Sequence, residues 1–215
     1  MENSEIIDKT KVFVKKELSL SEPGHDFWHA IRVLNLSKLI YEKEIMGDFL
    51  VIALASLLHD IADFKFSGDD SLGPEKAGSF LMSIDVSEPV VSHVKNIIRN
   101  VSFHKGKTDF VSDEFFIVQD ADRLDAIGAI GIARAFSYGG FKGSEMYNPD
   151  IEPRLNMKMD EYKGYKGTTI NHFYEKLLLL KDMMNTNTGY EIAEARHRFM
   201  LGFLSEFFSE FEGLK

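Results

Sequence analysis

The stretch from Phe49 to Asp60 is a near-continuous apolar run that stops being apolar at the adjacent His59 and Asp60. A helix that is apolar on most of its faces has no side to turn to water, so it belongs at the centre of a bundle. Burying a carboxylate beside an imidazole after such a run is unfavourable unless both find partners, and a divalent cation can partner both. The run therefore reads as half of a metal site at the heart of a helical fold.

Neighbouring residues on a helix point about 100° apart, so His59 and Asp60 cannot surround an ion by themselves. Two further donors stand out. His29 lies upstream in Gly24-His25-Asp26-Phe27-Trp28-His29-Ala30-Ile31-Arg32, and Asp122 lies downstream in Gln119-Asp120-Ala121-Asp122-Arg123-Leu124-Asp125-Ala126. A lone histidine, a histidine-aspartate pair and a later aspartate, each on its own helix, form an order that resembles the HD-domain metal-dependent phosphohydrolase superfamily. The resemblance extends over nearly the whole chain. The runs from Gln119 to Arg134 and from His172 to Leu178 look like the signature of one small, single-domain branch. Members of that branch are stand-alone hydrolases, some of them nucleoside-triphosphate pyrophosphohydrolases. The resemblance implies an all-α, single-domain multi-helix bundle over residues 1–215, with metal ligands His29, His59, Asp60 and Asp122 inside residues 25–125.

A chain of 215 residues with 44% hydrophobic content can build one sizeable core, and nothing in its length demands two domains. The net charge of -9, with no Lys/Arg run, argues against a nucleic-acid polymer as partner. A nucleotide substrate stays open, because a bound cation supplies local positive charge. With no cysteine, disulfides and thiolate metal sites are excluded. Met1-Glu2-Asn3-Ser4-Glu5 lacks the basic start and apolar core of a signal peptide, and no apolar run is long enough to span a bilayer. A soluble cytoplasmic protein with no membrane partner is expected.

Along the chain, helical spacing predicts a packing helix from Ser4 to about Leu18, then a turn through Pro23-Gly24. A longer helix follows, with Asp26 in its first turn and His29 near its start. Gly47-Asp48 breaks the pattern before the apolar helix, and Phe64 to Gly73 reads as a loop. Pro74-Glu75 opens a helix and Ser87-Glu88-Pro89 caps the next, which runs to about Val101. Ser112 is expected to cap one helix through Asp122 to about Phe136, ended by Gly139-Gly140, with small residues from Ala126 to Ala133 permitting close helix contact. Residues 139–167 show no clear period and read as a long loop. C-terminal helices fill residues 168–213, capped by Thr168 or Thr169, the last placing Phe199, Met200, Phe203, Leu204, Phe207 and Phe211 on one core stripe.

Two imidazoles and two carboxylates suit one Mn²⁺, the first choice, or Fe²⁺, Ni²⁺ or Zn²⁺, and tolerate Mg²⁺. Such a set leaves positions open for water and a phosphate oxygen, as metal-assisted hydrolysis requires. A second metal would need histidines such as His93 and His104, but the extended dinuclear motif is not recognisable. Asp63 follows Asp60 by one helical turn. By resemblance it assists as general acid or base; the bland alternative is a helix-end cap or a pair with Lys65.

Polyphosphate binding needs cations, and Lys65, Lys105, Arg32 and Arg123 lie near the ligands in sequence. For each, a solvated charge or a surface salt bridge is the competing explanation. His25 and His104 are further substrate-contact candidates, while His93, His172 and His197 read as structural. The expected function is hydrolysis of a phosphate ester or anhydride of a small-molecule nucleotide, with a (d)NTP cleaved to monophosphate and pyrophosphate as one form. A nucleoside monophosphate phosphomonoesterase would use the same ligands. From other classes, a non-catalytic metal-binding signalling domain could share the fold, and His25 with His29 mimics a zinc-protease helix motif with aspartate in place of glutamate. A homodimer is expected by analogy alone.

Overall fold

The computed structural model describes residues 2–19, 24–61, 72–101, 108–155 and 167–215. Among them are nine α-helices, one 3₁₀ helix and no strand. The all-α expectation holds. The backbone groups into two compact units, residues 1–122 and 123–215.

The first unit contains α1 (Asn3–Glu17), α2 (Phe27–Glu44), α3 (Phe49–Leu58), α4 (Leu72–Ser83), α5 (Glu88–Val101) and most of α6 (Asp113–Asp125). Helix α3 is its axis. Every residue from Val51 to Leu58 is buried, and α1, α2 and α5 all pack against it, which is where a helix without a polar face must sit. Asp48 caps α3 by accepting the Leu50 N–H at 2.8 Å, supplying one of the acceptors that a helix N-terminus lacks. Its own N–H donates to Glu114 Oε1 at 2.9 Å, tying the α2–α3 turn to the start of α6.

The second unit holds α7 (Gly128–Lys142), α8 (Thr169–Glu175), the 3₁₀ helix Leu177–Met183 and α9 (Asn187–Phe211). Helix α9 packs against α7 and the 3₁₀ helix. Phe136, Phe173 and Phe203 meet in one aromatic cluster, with ring centroids 5.8–6.2 Å apart. Tyr147 lies edge-on to Phe207, Phe208 and Phe211. Thr168 caps α8 and Thr186 caps α9, each accepting the N–H three residues on.

Three sequence expectations need correction. The helix expected from Ser112 to Phe136 is two helices, α6 and α7, because Gly128 takes φ +76°, a left-handed conformation that stops helical propagation. Gly139-Gly140 does not end α7; the helix continues to Lys142 and closes on Gly143 at φ +67°, so the irregular segment begins later than residue 139. The α9 stripe is narrower than expected. Met200 and Leu204 are buried, whereas Phe199 and Phe211 are more than half exposed.

Candidate metal centre

Helix α2 begins where Asp26 Oδ1 accepts the His29 N–H at 2.9 Å. This cap fixes the first turn and with it the His29 ring, which is wholly buried. Asp26 is thus the N-cap itself, one position outside the first turn expected for it. His59 is the C-cap of α3. Its Nδ1 donates to the Ser56 carbonyl oxygen at 2.9 Å, which directs the Nε2 lone pair inward when the ring is neutral. Ser56 is itself anchored, donating from Oγ to the Ile52 carbonyl at 2.7 Å and pairing with the Ser37 hydroxyl at 2.9 Å. Asp60 follows directly, and Asp122 comes from the last turn of α6.

These four side chains converge. His29 Nε2 lies 3.1 Å from His59 Nε2, 3.2 Å from Asp60 Oδ2 and 3.5 Å from Asp122 Oδ1. His59 Nε2 lies 3.4 Å from Asp60 Oδ2 and 3.7 Å from Asp122 Oδ1. Donors about 2.1 Å from a first-row divalent ion stand about 3.0 Å apart in octahedral and about 3.4 Å apart in tetrahedral geometry. The spacings of the two imidazole nitrogens from each other and from the two carboxylate oxygens match such a shell. Two imidazole nitrogens and two carboxylate oxygens also suit a borderline cation, so the residues fit a divalent metal.

The electrostatics fit as well. Burial works against a charged His59, yet the Asp60 carboxylate, the hydrogen bond and charge of Asp122 and the Ser56 carbonyl together lift its pKa to about 10. Burial likewise opposes ionised carboxylates. For Asp122 the hydrogen bond and charge of His59, with the charge of His29, outweigh it and bring the pKa down to about 2. For Asp60 the charges of His59 and His25, and hydrogen bonds from His25 and His29, hold the group well below the usual carboxylate range. The histidines and aspartates hold one another in their charged forms against the penalty of burial. Exposure is graded: the side chains of His29 and His59 are 0% and 2% exposed, that of Asp60 13% and that of Asp122 28%. The cluster opens to solvent on its carboxylate side.

The other sequence candidates fall differently. His25, expected at the substrate, places Nδ1 2.6 Å from Asp60 Oδ2. It precedes the cap of α2, so His25 and His29 are not an i, i+4 pair on one helix, and the zinc-protease resemblance loses its helical basis. Arg32 is half-buried on α2. Arg123 donates from Nη1 to the Met183 carbonyl oxygen. His93 bonds the Ser112 hydroxyl at 3.0 Å, the structural role expected of it. Asp63, Lys65, His104 and Lys105 lie outside the described residues. Sequence reading missed the Ser56 carbonyl, because any residue three before His59 carries one and its identity gives no signal.

No family model matches the chain. It is 38% identical over 210 residues to the protein YpgQ of Bacillus subtilis, an alignment covering 96% of this chain and 94% of YpgQ. The crystal structure of YpgQ in complex with ADP superposes with a TM-score of 0.79 at 34% identity, covering 98% of this chain and 97% of that one. An HD-superfamily hydrolase from Bacillus thuringiensis superposes with a TM-score of 0.78 at 42% identity, over 98% and 99% of the two chains. A predicted HD-superfamily hydrolase from an uncultured Thermotogales bacterium gives 0.62 at 27% identity, over 97% and 92%. With these likenesses spanning nearly its whole length, and with two overlapping groups of histidine and aspartate, His25-His29-Asp60 and His29-His59-Asp122, that could each hold a metal ion, the chain belongs to the HD superfamily of metal-dependent hydrolases.

Proposed function

We propose that this hydrolase cleaves a phosphate ester or anhydride of a nucleotide, with a (deoxy)nucleoside triphosphate cut to monophosphate and pyrophosphate as the leading form. The observation that carries the reading is the convergence of four donors that open to solvent on the Asp122 side. The nucleotide draws support from the ADP held by YpgQ and from the resemblance of residues 119–134 and 172–178 to a small single-domain branch that includes nucleotide pyrophosphohydrolases.

In this reading His29, His59, Asp60 and Asp122 hold one divalent cation, Mn²⁺ by first choice. When bound, that cation supplies Lewis acidity toward water and a phosphoryl oxygen. The protein does the rest. The Ser56 carbonyl keeps the His59 ring in the orientation that aims Nε2 into the cluster. Asp63, three residues after Asp60 in sequence, moves the proton between the attacking water and the leaving oxygen. Lys65 and Lys105 hold phosphate oxygens by charge-assisted hydrogen bonds, with His104, Arg32 and Arg123 as further candidates at the substrate. Water adds its oxygen to phosphorus, the bridging P–O bond breaks, and the leaving oxygen keeps the electron pair.

The test is turnover of nucleoside mono-, di- and triphosphates with Mn²⁺, quantifying phosphate and pyrophosphate separately, with Asp60→Ala as the blank. Triphosphates should yield pyrophosphate, EDTA should stop the reaction, and Asp60→Ala should lower kcat/KM by at least about a hundredfold. Release of phosphate from monophosphates alone would favour the phosphomonoesterase. No turnover of any nucleotide by metal-loaded protein would overturn the nucleotide reading.

A further inference from the structure

His25 stands apart from the four donors in how short its contact is. Its Nδ1 is 2.6 Å from Asp60 Oδ2, the same oxygen that faces His29 and His59 at 3.2 and 3.4 Å. Two atoms bound to one first-row cation stand about 3.0 Å apart or more. A separation of 2.6 Å is instead that of a short, charge-assisted hydrogen bond. His25 is therefore a donor to a ligand, and Nδ1 is the nitrogen that carries the proton.

The local backbone is arranged for this contact. Gly24 takes φ +98°, a conformation that side chains other than glycine's adopt at a cost. Asp26 then caps α2 immediately after His25. His25 is thus set just outside the helix, where its ring reaches Asp60, 35 residues away in sequence. The ring also meets that of His29 edge-on, at 75° with centroids 5.6 Å apart. With 21% of its side chain exposed, His25 is only partly buried.

We infer that His25 is a positioning residue for the metal: its Nδ1–H holds the Asp60 carboxylate in the orientation that points Oδ2 at His29 and His59. This rests on the four-donor metal reading and replaces the substrate contact expected from sequence. Removing a donor of this kind weakens metal binding by about 10–100-fold in known sites. An asparagine can return an N–H near the position of Nδ1, whereas a leucine of similar size cannot donate.

The experiment measures Mn²⁺ dissociation constants by calorimetry, without nucleotide, for the metal-free wild type, His25→Asn, His25→Leu and Asp60→Ala, with circular dichroism verifying helical content. His25→Leu should raise Kd about 10–100-fold and His25→Asn should restore most of that loss. Wild-type affinity in His25→Leu would overturn the inference, and a raised nucleotide KM in that variant would return His25 to the substrate. Equal weakening in His25→Asn and His25→Leu would also overturn it, since the donor would then be irrelevant. If the wild type bound no Mn²⁺, or Asp60→Ala bound it as tightly, the metal reading itself would fall. Loss in Asp60→Ala with none in His25→Leu would end the His25 assignment alone.

Discussion

At the residue scale, the metal-free cluster couples stability and metal binding to protons. The His59 pKa is raised from 6.5 to about 10, so its contribution to stability is fully present below pH 6.5 and is lost as pH rises through about 10. The Asp122 pKa is lowered from 3.8 to about 2, so its contribution is present above pH 3.8 and is lost as pH falls through about 2. In EDTA, Tm should plateau between roughly pH 4 and 6.5 and fall on either side, as a scanning-calorimetry series would show. A cation must also displace the proton that His59 carries at neutral pH. Mn²⁺ binding near pH 7.5 should therefore release about one proton, measurable by calorimetry in buffers of different ionisation enthalpy. His59 and Asp60 stand out in sequence because imidazole and carboxylate side chains have no other ready place at the end of a buried run, and His29 and Asp122 because their order with that pair resembles the superfamily's. His25 was visible as a histidine near the site, but its bond to Asp60 was not, since a turn at Gly24 and the packing of α2 on α3 create it.

At the element scale, α3 and the α6–α7 break test the packing. Leu54 is fully buried at the centre of α3. Leu54→Ala should destabilise the fold by about 2–5 kcal/mol in urea unfolding, the range for a buried leucine whose cavity cannot fully collapse. Gly128 combines its left-handed φ with a position where an added Cβ would come 2.9 Å from Arg196 Cγ. Gly128→Ala should therefore cost about 1–2 kcal/mol for the backbone alone, with Arg196 forced to shift. Arg196 donates to the Leu124 carbonyl at 2.5 Å and Arg134 pairs with Asp125 at 2.7 Å. Arg196 thereby satisfies a carbonyl at the C-terminal end of α6, where helix carbonyls lack partners, and Arg134 neutralises the buried carboxylate beside it. Most helices were readable from apolar spacing, but the helix expected from Thr168 or Thr169 through Leu177 to Leu180 is α8 to Glu175 followed by a 3₁₀ helix. The α6–α7 break was not readable, because Ala126 to Ala133 is continuously small and apolar, and the sign of a glycine φ leaves no mark on periodicity.

At the scale of the whole molecule, a bound metal should stabilise by mass action. Mn²⁺ at a hundred times its Kd adds about 2.7 kcal/mol, so Tm should rise with Mn²⁺ concentration and drop on chelation. Asp60→Ala should abolish that rise. No helix among the described residues is long and apolar enough to cross a membrane. The sequence by itself determined the helical class and the central place of α3, because hydrophobic period acts on residues close together in the chain, and it marked four candidate donors by their order along it. Only the tertiary structure decided that the His29 and His59 nitrogens stand 3.1–3.7 Å from each other and from the Asp60 and Asp122 oxygens, that His25 bonds Asp60, and that α6 and α7 are separate helices. Contacts between residues 30 and more positions apart depend on how helices pack, and backbone handedness at one glycine depends on its neighbours in space.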